Sequence, residues 1–344
     1  MRHKHLNAAL RITRKGWHGC VPFATLALLL YGPVYAQTCL GAGDMDAPTQ
    51  AALVNTAKKY FDMAARGDAT ALRQNSIAAV ASDFSAIETA VKDHQANFAT
   101  AQAIARPPFL LTVEGDAPIP RAEFLCGVFG SRGQTANSAV FVLNNLPPGS
   151  YAVAILDVPT SKGSHTVSFI LQQQGSDWKL GGFYIKPSQA AGHDGNWFIE
   201  KAHDFKAKGQ LRNAWLYYLE ARDLLSPVPF MSTLATDKLY DESQAVKPTD
   251  LPADAPLDLV AGNKTYKLTA VFPLAVANDF DLVVKYQAAD VSNTAQTFQE
   301  NLAVIRALVA KFPEYRDAFD GVVARAVETS GRDFGSLLAM KDVK

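Results

Sequence analysis

The 344-residue chain carries 33 basic and 33 acidic residues and is 48% hydrophobic, the balance of a globular protein and not of a disordered or fibrous one. Residues 1–36 hold five of the bases (Arg2, Lys4, Arg11, Arg14, Lys15) and no acid, so the remainder has 28 against 33, a net charge of −5. With no Lys/Arg cluster in that remainder, the electrostatic footprint of nucleic-acid binding is missing, and no stretch of it is apolar enough to span a bilayer.

Residues 1–36 read as a secretory signal. A basic start is followed by the short apolar run "VPFATLALLLYGPVY", and "VYA" before Gln37 predicts cleavage after Ala36, hence a periplasmic or extracellular protein. The run is shorter than the roughly 20 residues of a membrane anchor. Cys39 opens the alternative of a lipidated N-terminus, for which "AQT" is a poor lead-in, and the long basic start leaves a later start codon open. Cys20 leaves with the signal. In an oxidising compartment Cys39 and Cys126 most simply form one disulfide; the alternative is two buried free thiols.

Residues 37–188 form the first expected unit. "TQAALVNTAKKYFDMAARGDATALRQ" has apolar positions at helical spacing (Leu53, Ala57, Tyr60, Phe61, Ala64), with Gly67-Asp68 as a stop and restart. A second helical region is predicted over about 77–105, ended by "ARPPF". From Phe109 the period changes to two, predicting strands at 109–114, 121–129, 138–145, 151–157, 165–173 and 178–186. Helices followed by an antiparallel meander, with "YFDMAARGDATAL" and the closing strand "DWKLGGFYIKP", resemble the nuclear-transport-factor-2-like cone shared with ketosteroid isomerases. The resemblance covers about 140 residues and implies helices over a curved sheet. It carries over no catalytic residue.

In residues 189–246, Ala202, Phe205, Gly209, Ala214, Tyr218 and Ala221 are spaced so that small residues, aromatics and a turn glycine let two antiparallel helices approach closely, a spacing that resembles a tetratricopeptide repeat. A single repeat cannot bury its apolar face, so it must pack on another part of the chain or on a partner. A further helix is expected within "PFMSTLATDKLYDESQAV". Residues 247–256, "KPTDLPADAP", read as a linker. Residues 257–344 predict a small α+β unit: strands in "PLDLV", "TYKLTAVFPL" and "DFDLVVKYQ", a helix with the stripe Phe298, Leu302, Ile305, Leu308, and a second helix over "PEYRDAFDGVVARAVETSG". The expected class is therefore α+β throughout.

No phosphate loop, GxGxxG, GxSxG, HExxH or acidic calcium loop occurs, and no cofactor or metal is expected. Glu200-x-x-His203 could seed a carboxylate-bridged metal site, but it has no second copy and reads as a solvated helix face. The sharper constellation lies on the sheet. If the chain turns about Ser161, Asp157 comes opposite His165 with Tyr184 next along, at the end of an apolar face carrying Tyr151, Val153, Ile155, Val167, Phe169 and Leu171. That grouping could supply a general base and an oxyanion donor to a small apolar substrate. Trp215 and Tyr217, off the repeat's own core positions, are candidate docking residues for another part of the chain or a partner. Non-catalytic binding or assembly in the bacterial periplasm or envelope is the leading expectation, and acid–base catalysis in a cone cavity is the rival.

Overall fold

The structure, a computed structural model, describes residues 37–344 apart from positions 132 and 254; the expected signal segment lies outside these. The class is mixed α+β, with sheets that do not close into a barrel. In chain order, β1 (Gln37–Leu40) is followed by α1 (Ala47–Ala65), α2 (Ala69–Gln74), α3 (Ala78–Ser82) and α4 (Ser85–Phe98). Asp46 caps α1 by accepting from Thr49 N–H at 2.8 Å, and Asp68 caps α2 by accepting from Ala71 N–H at 2.9 Å. Gly67, at φ 73°, makes the reversal between them. The single helical region expected over 77–105 is instead two helices, and Ile104–Ala105 is a short strand, β2.

The strands β3 (Phe109–Val113), β4 (Ile119–Gly130), β5 (Gly133–Leu146), β6 (Gly149–Thr160), β7 (Gly163–Gln174) and β8 (Asp177–Pro187) coincide with the six predicted runs. They do not form one meander. β1, β3, β6, β7 and β8 make one sheet, with β2 also on β6, while β4 and β5 belong to a second sheet. α1 and α4 cover one face of the first sheet through Leu53, Ala57, Tyr60, Phe61 and Phe98, packed on Ala154, Leu156, Val167 and Phe169. The second sheet covers the other face, where Phe124 and Phe141 meet Leu111, Tyr151, Val153 and Ile155. β6 is thus apolar on both sides, as a strand buried between two layers must be. Cys39 of β1 and Cys126 of β4 form a disulfide that ties the two sheets together.

After β9 (Gln189–Ala190) and β10 (His193–Asp194) comes the helical hairpin, α5 (Gly195–Ala207) and α6 (Leu211–Leu225). Gly209 turns at φ 75°. The helices touch closely: a Cβ on Gly195 would lie 2.7 Å from Leu225 Cγ. β11 (Met231–Thr233) completes the second sheet by pairing with β5, and α7 (Leu234–Ala245) is the additional helix expected after the hairpin.

The last sheet has the order β12 (Leu257–Ala261), β13 (Lys264–Val276), β14 (Asp279–Gln287), β15 (Gly321–Val327), β16 (Asp333–Ala339), with α8 (Thr294–Lys311) packed on it. The second helix expected over 313–331 is not formed. A 3-10 turn, Pro313–Asp317, leads into β15, which pairs parallel to β14. "GVVARAV" alternates inward Val322, Ala324 and Ala326 with outward residues, which is strand periodicity over too short a run to exclude a helix. The hairpin and this sheet share one apolar core, in which Phe198, Tyr217, Phe280 and Phe319 meet. Arg212 of α6 fastens the junction. It donates to Asp250 and to Glu314 (2.6 Å) and lies 4.4 Å over the Phe312 ring. No described helix is long and apolar enough to cross a membrane.

Candidate functional site

The predicted Asp157–His165–Tyr184 grouping does not assemble. Thr160 pairs with Gly163, so the turn centres between Ser161 and Lys162 and every partner slips by one. Asp157 stands opposite Thr166, His165 opposite Val158, and Tyr184 opposite Ser168. A one-residue slip sends alternate side chains to opposite faces. Asp157 therefore shares its face with Tyr151, Val153 and Ile155, while Val167, Phe169 and Leu171 lie on the other with His165. Asp157 is held in a bidentate pair by Arg106, and the Tyr184 ring packs against Phe230 at 5.7 Å. None of the three meets another, so they form no acid–base site.

His165 instead contacts α4. Its ring lies 5.6 Å from His94 and 5.6 Å from Phe98, and its Nδ1 is buried without a partner among the described residues. Burial, and then the neighbouring His94, hold its pKa below the usual 6.5. The unfolded chain then takes up a proton first as pH falls, so the stability contributed by neutral His165 is complete above about pH 6.5 and is lost below it. His165→Phe is expected to flatten the fall in thermal midpoint between pH 7 and pH 5. An unchanged acid slope would assign that fall to other groups.

The hairpin residues are placed as follows. His203 hydrogen-bonds Glu242 of α7 at 2.8 Å and Lys201 pairs with Asp204 at 3.5 Å, so these side chains sit on a polar helix surface. Tyr217 is buried at the junction with the last sheet and donates its hydroxyl to Ala318 O at 2.6 Å; it anchors this chain to itself and offers no docking surface. Trp215 is half-buried against the same core, with its indole N–H buried and unpartnered among the described residues.

A concave site forms where β8, α6 and the β13–β14 turn converge. It is a cleft of about 970 Å³. It is lined by the edge of β13 at 272–275, where Pro273 and Ala275 alternate toward the body, and by Lys162, Gln189, Glu220 and Asp223. Asp223 accepts from Lys186 Nζ at 2.7 Å. Glu220, one helical turn before Asp223, faces the cleft half-buried and makes no hydrogen bond among the described residues. Desolvation first, and then the Asp223 charge, push its carboxyl up to about 7, against the opposing pull of Lys186. The cleft runs on past Ala191 and Asn278 into a hollow of about 380 Å³, where His193 stacks on Trp197 with ring centroids 3.7 Å apart and Arg316, Asp317 and Asp320 supply polar groups.

Sequence reading missed Glu220 because it stands in an ordinary helical run, "YYLEARD", with no motif around it. The far wall is β13, about 50 positions later, and only packing brings the two together. The desolvation gives a measurable signature. Folding raises the Glu220 pKa, so the folded chain binds more protons between about 4.5 and 7 and loses stability as pH rises through that window. Glu220→Gln is expected to stabilise the chain by about 2–3 kcal/mol at pH 8 and by almost nothing at pH 4.5, read from denaturant midpoints at both pH values. A change equal at the two pH values would refute the assignment.

No family model matches this chain, and neither a curated protein nor a solved structure is similar enough to it to place it in a family.

Proposed function

We propose that this chain is an exported, non-catalytic binding protein of the bacterial envelope whose ligand lies in the cleft between α6 and β13. In this reading it consists of a nuclear-transport-factor-2-like unit, a tetratricopeptide-like hairpin and a small α+β unit. The order of helices then strands in residues 37–188 supports the first, and the small–aromatic–glycine spacing of the hairpin supports the second. The space beneath the first sheet is filled by Leu111, Tyr151, Val153, Ile155, Phe124 and Phe141, whereas the cleft is a concave feature lined by the carboxylates of Glu220 and Asp223.

One observation carries the proposal: Glu220 keeps a half-desolvated carboxyl, unpaired among the described residues, in a cleft of about 970 Å³. Such a group costs stability, and a ligand that hydrogen-bonds it removes the cost. The opposed walls select a molecule with one apolar side and one hydrogen-bonding side, at the upper end of the size range of small-molecule sites.

The test is retention. The protein is purified from its native envelope as wild type, Glu220→Gln and Glu220→Lys, and co-purifying small molecules and proteins are identified by mass spectrometry. A compound kept by the wild type and by Glu220→Gln but absent from Glu220→Lys supports the site. Equal retention by all three, or no retained compound, sinks it.

A further inference from the structure

The last sheet has one covered face and one open face. Leu282, Val284, Val322 and Ala324 point toward α8 and the hairpin, so the alternate residues point away from the body. On that open face the register aligns four apolar side chains across four adjacent strands: Phe272 beside Val283, Val283 beside Val323, and Val323 beside Leu337. Leu337 is 58% exposed and Leu274, in the next row, 41% exposed. Val283 is buried yet belongs to none of the apolar clusters of the interior, as expected of a residue sunk in the middle of a surface stripe.

The rows flanking this stripe carry opposite charges. On one side Asp281 lies beside Leu274 and against Gly321, with Asp279 and Asp320 close by. These three acids and Lys341 line a hollow of about 460 Å³, and none of the acids is in an ion pair among the described residues. On the other side Lys285 lies beside Arg325, and Arg325 beside Gly335. Lys285 Nζ sits 5.4 Å over the Phe272 ring, and Arg325 pairs with Asp333.

An apolar stripe with acids along one margin and bases along the other is complementary to itself in one orientation. A two-fold axis lying along the stripe places each stripe residue opposite its own copy and sets the basic row of one chain over the acidic row of the other. An axis across the stripe would set acid on acid and base on base. We propose that this face is a homodimer interface in which two last sheets stack face to face, with Lys285 of each chain directed at the acidic hollow of its partner. Stacked sheets sit about 10 Å apart with interdigitated side chains, and a two-fold interface of this kind uses one patch twice.

The mature chain, with its disulfide intact, is followed by sedimentation velocity and light scattering over a concentration series. The wild type is expected to be a dimer at the upper concentrations. Leu337→Glu and Lys285→Glu are each expected to raise the dissociation constant at least tenfold. Ile104→Glu, at a site 61% exposed on β2 and away from this face, is expected to leave it unchanged. Leu337→Cys reads the orientation, because only an axis along the stripe brings that thiol opposite its copy, about 10 Å away across the stacked sheets and within reach of a short bis-maleimide cross-linker. Circular dichroism of every variant separates loss of association from loss of fold, and Lys285→Glu, which reverses a charge and removes only the contact with the Phe272 ring, keeps the test decisive if Leu337→Glu destabilises. A wild type that stays monomeric throughout, a dimer indifferent to both Leu337→Glu and Lys285→Glu, or a Leu337→Cys chain that does not cross-link would each overturn the proposal.

Discussion

Tyr217→Ala is expected to lower the stability of the chain by about 3–5 kcal/mol and to split its unfolding into two transitions. The ring is buried among Phe205 at 4.9 Å, Phe280 at 5.2 Å, Phe198 at 5.4 Å and Phe319 at 6.1 Å, so its removal leaves a cavity on which three separate parts of the chain face. Its hydroxyl is also the buried donor to Ala318 O, which would lose its partner. Tyr217→Phe isolates that bond and is expected to cost only about 1 kcal/mol. The split arises because the core joining the hairpin to the last sheet is distinct from the two cores that flank the first sheet. Far-ultraviolet circular dichroism and near-ultraviolet tryptophan signals followed through a denaturant titration would separate the two events. Coincident single transitions with a shift below about 1 kcal/mol would show that Tyr217 is not the joint.

The second large effect concerns Cys39 and Cys126. The disulfide closes a loop with a sequence separation of 87, and chain-entropy estimates for a loop of that size give about 3–5 kcal/mol. The paired Cys39→Ser/Cys126→Ser variant is expected to lose that amount, measured as a lower denaturant midpoint with an increased slope as the denatured chain expands. The loss should concentrate in the first sheet, because β1 pairs only with β3 and is held to β4 by the sulfur bridge. A midpoint unchanged by the double substitution, or one that moves equally in the transition of the last sheet, would remove the bridge from the list of main supports.

The elements that sequence periodicity located were those with one wet face and one dry face. α1, α5, α6 and α8 have clean apolar stripes bounded by Asp46, Asp194 and Asn293 caps or by the Gly209 turn, and the six strands from Phe109 to Pro187 are bounded by turn residues. Where both faces are covered, the pattern carries no sign of direction. "YAVAIL" in β6 is apolar at every position because helices lie on one side and a sheet on the other. Nothing within that strand distinguishes the register found from its neighbour one residue away, and the expected Asp157–His165 pair depended on that one residue. β15 was hidden for a related reason. Its partner β14 is parallel and separated by the whole of α8, so no local turn chemistry announces it.

By itself the sequence determined the α+β class, the order along the chain of helices and strands, a helical hairpin and a last small sheet, and the two cysteines available for one bridge. These follow from local propensity, hydrophobic period and residue count, each of which acts over a few neighbouring positions. Only tertiary structure decided that the first six strands divide into two sheets, that Tyr217 faces inward, and that Glu220 confronts β13 across a cleft. Those outcomes depend on which faces are buried against which, and burial is a property of the assembled surfaces and of the water they exclude.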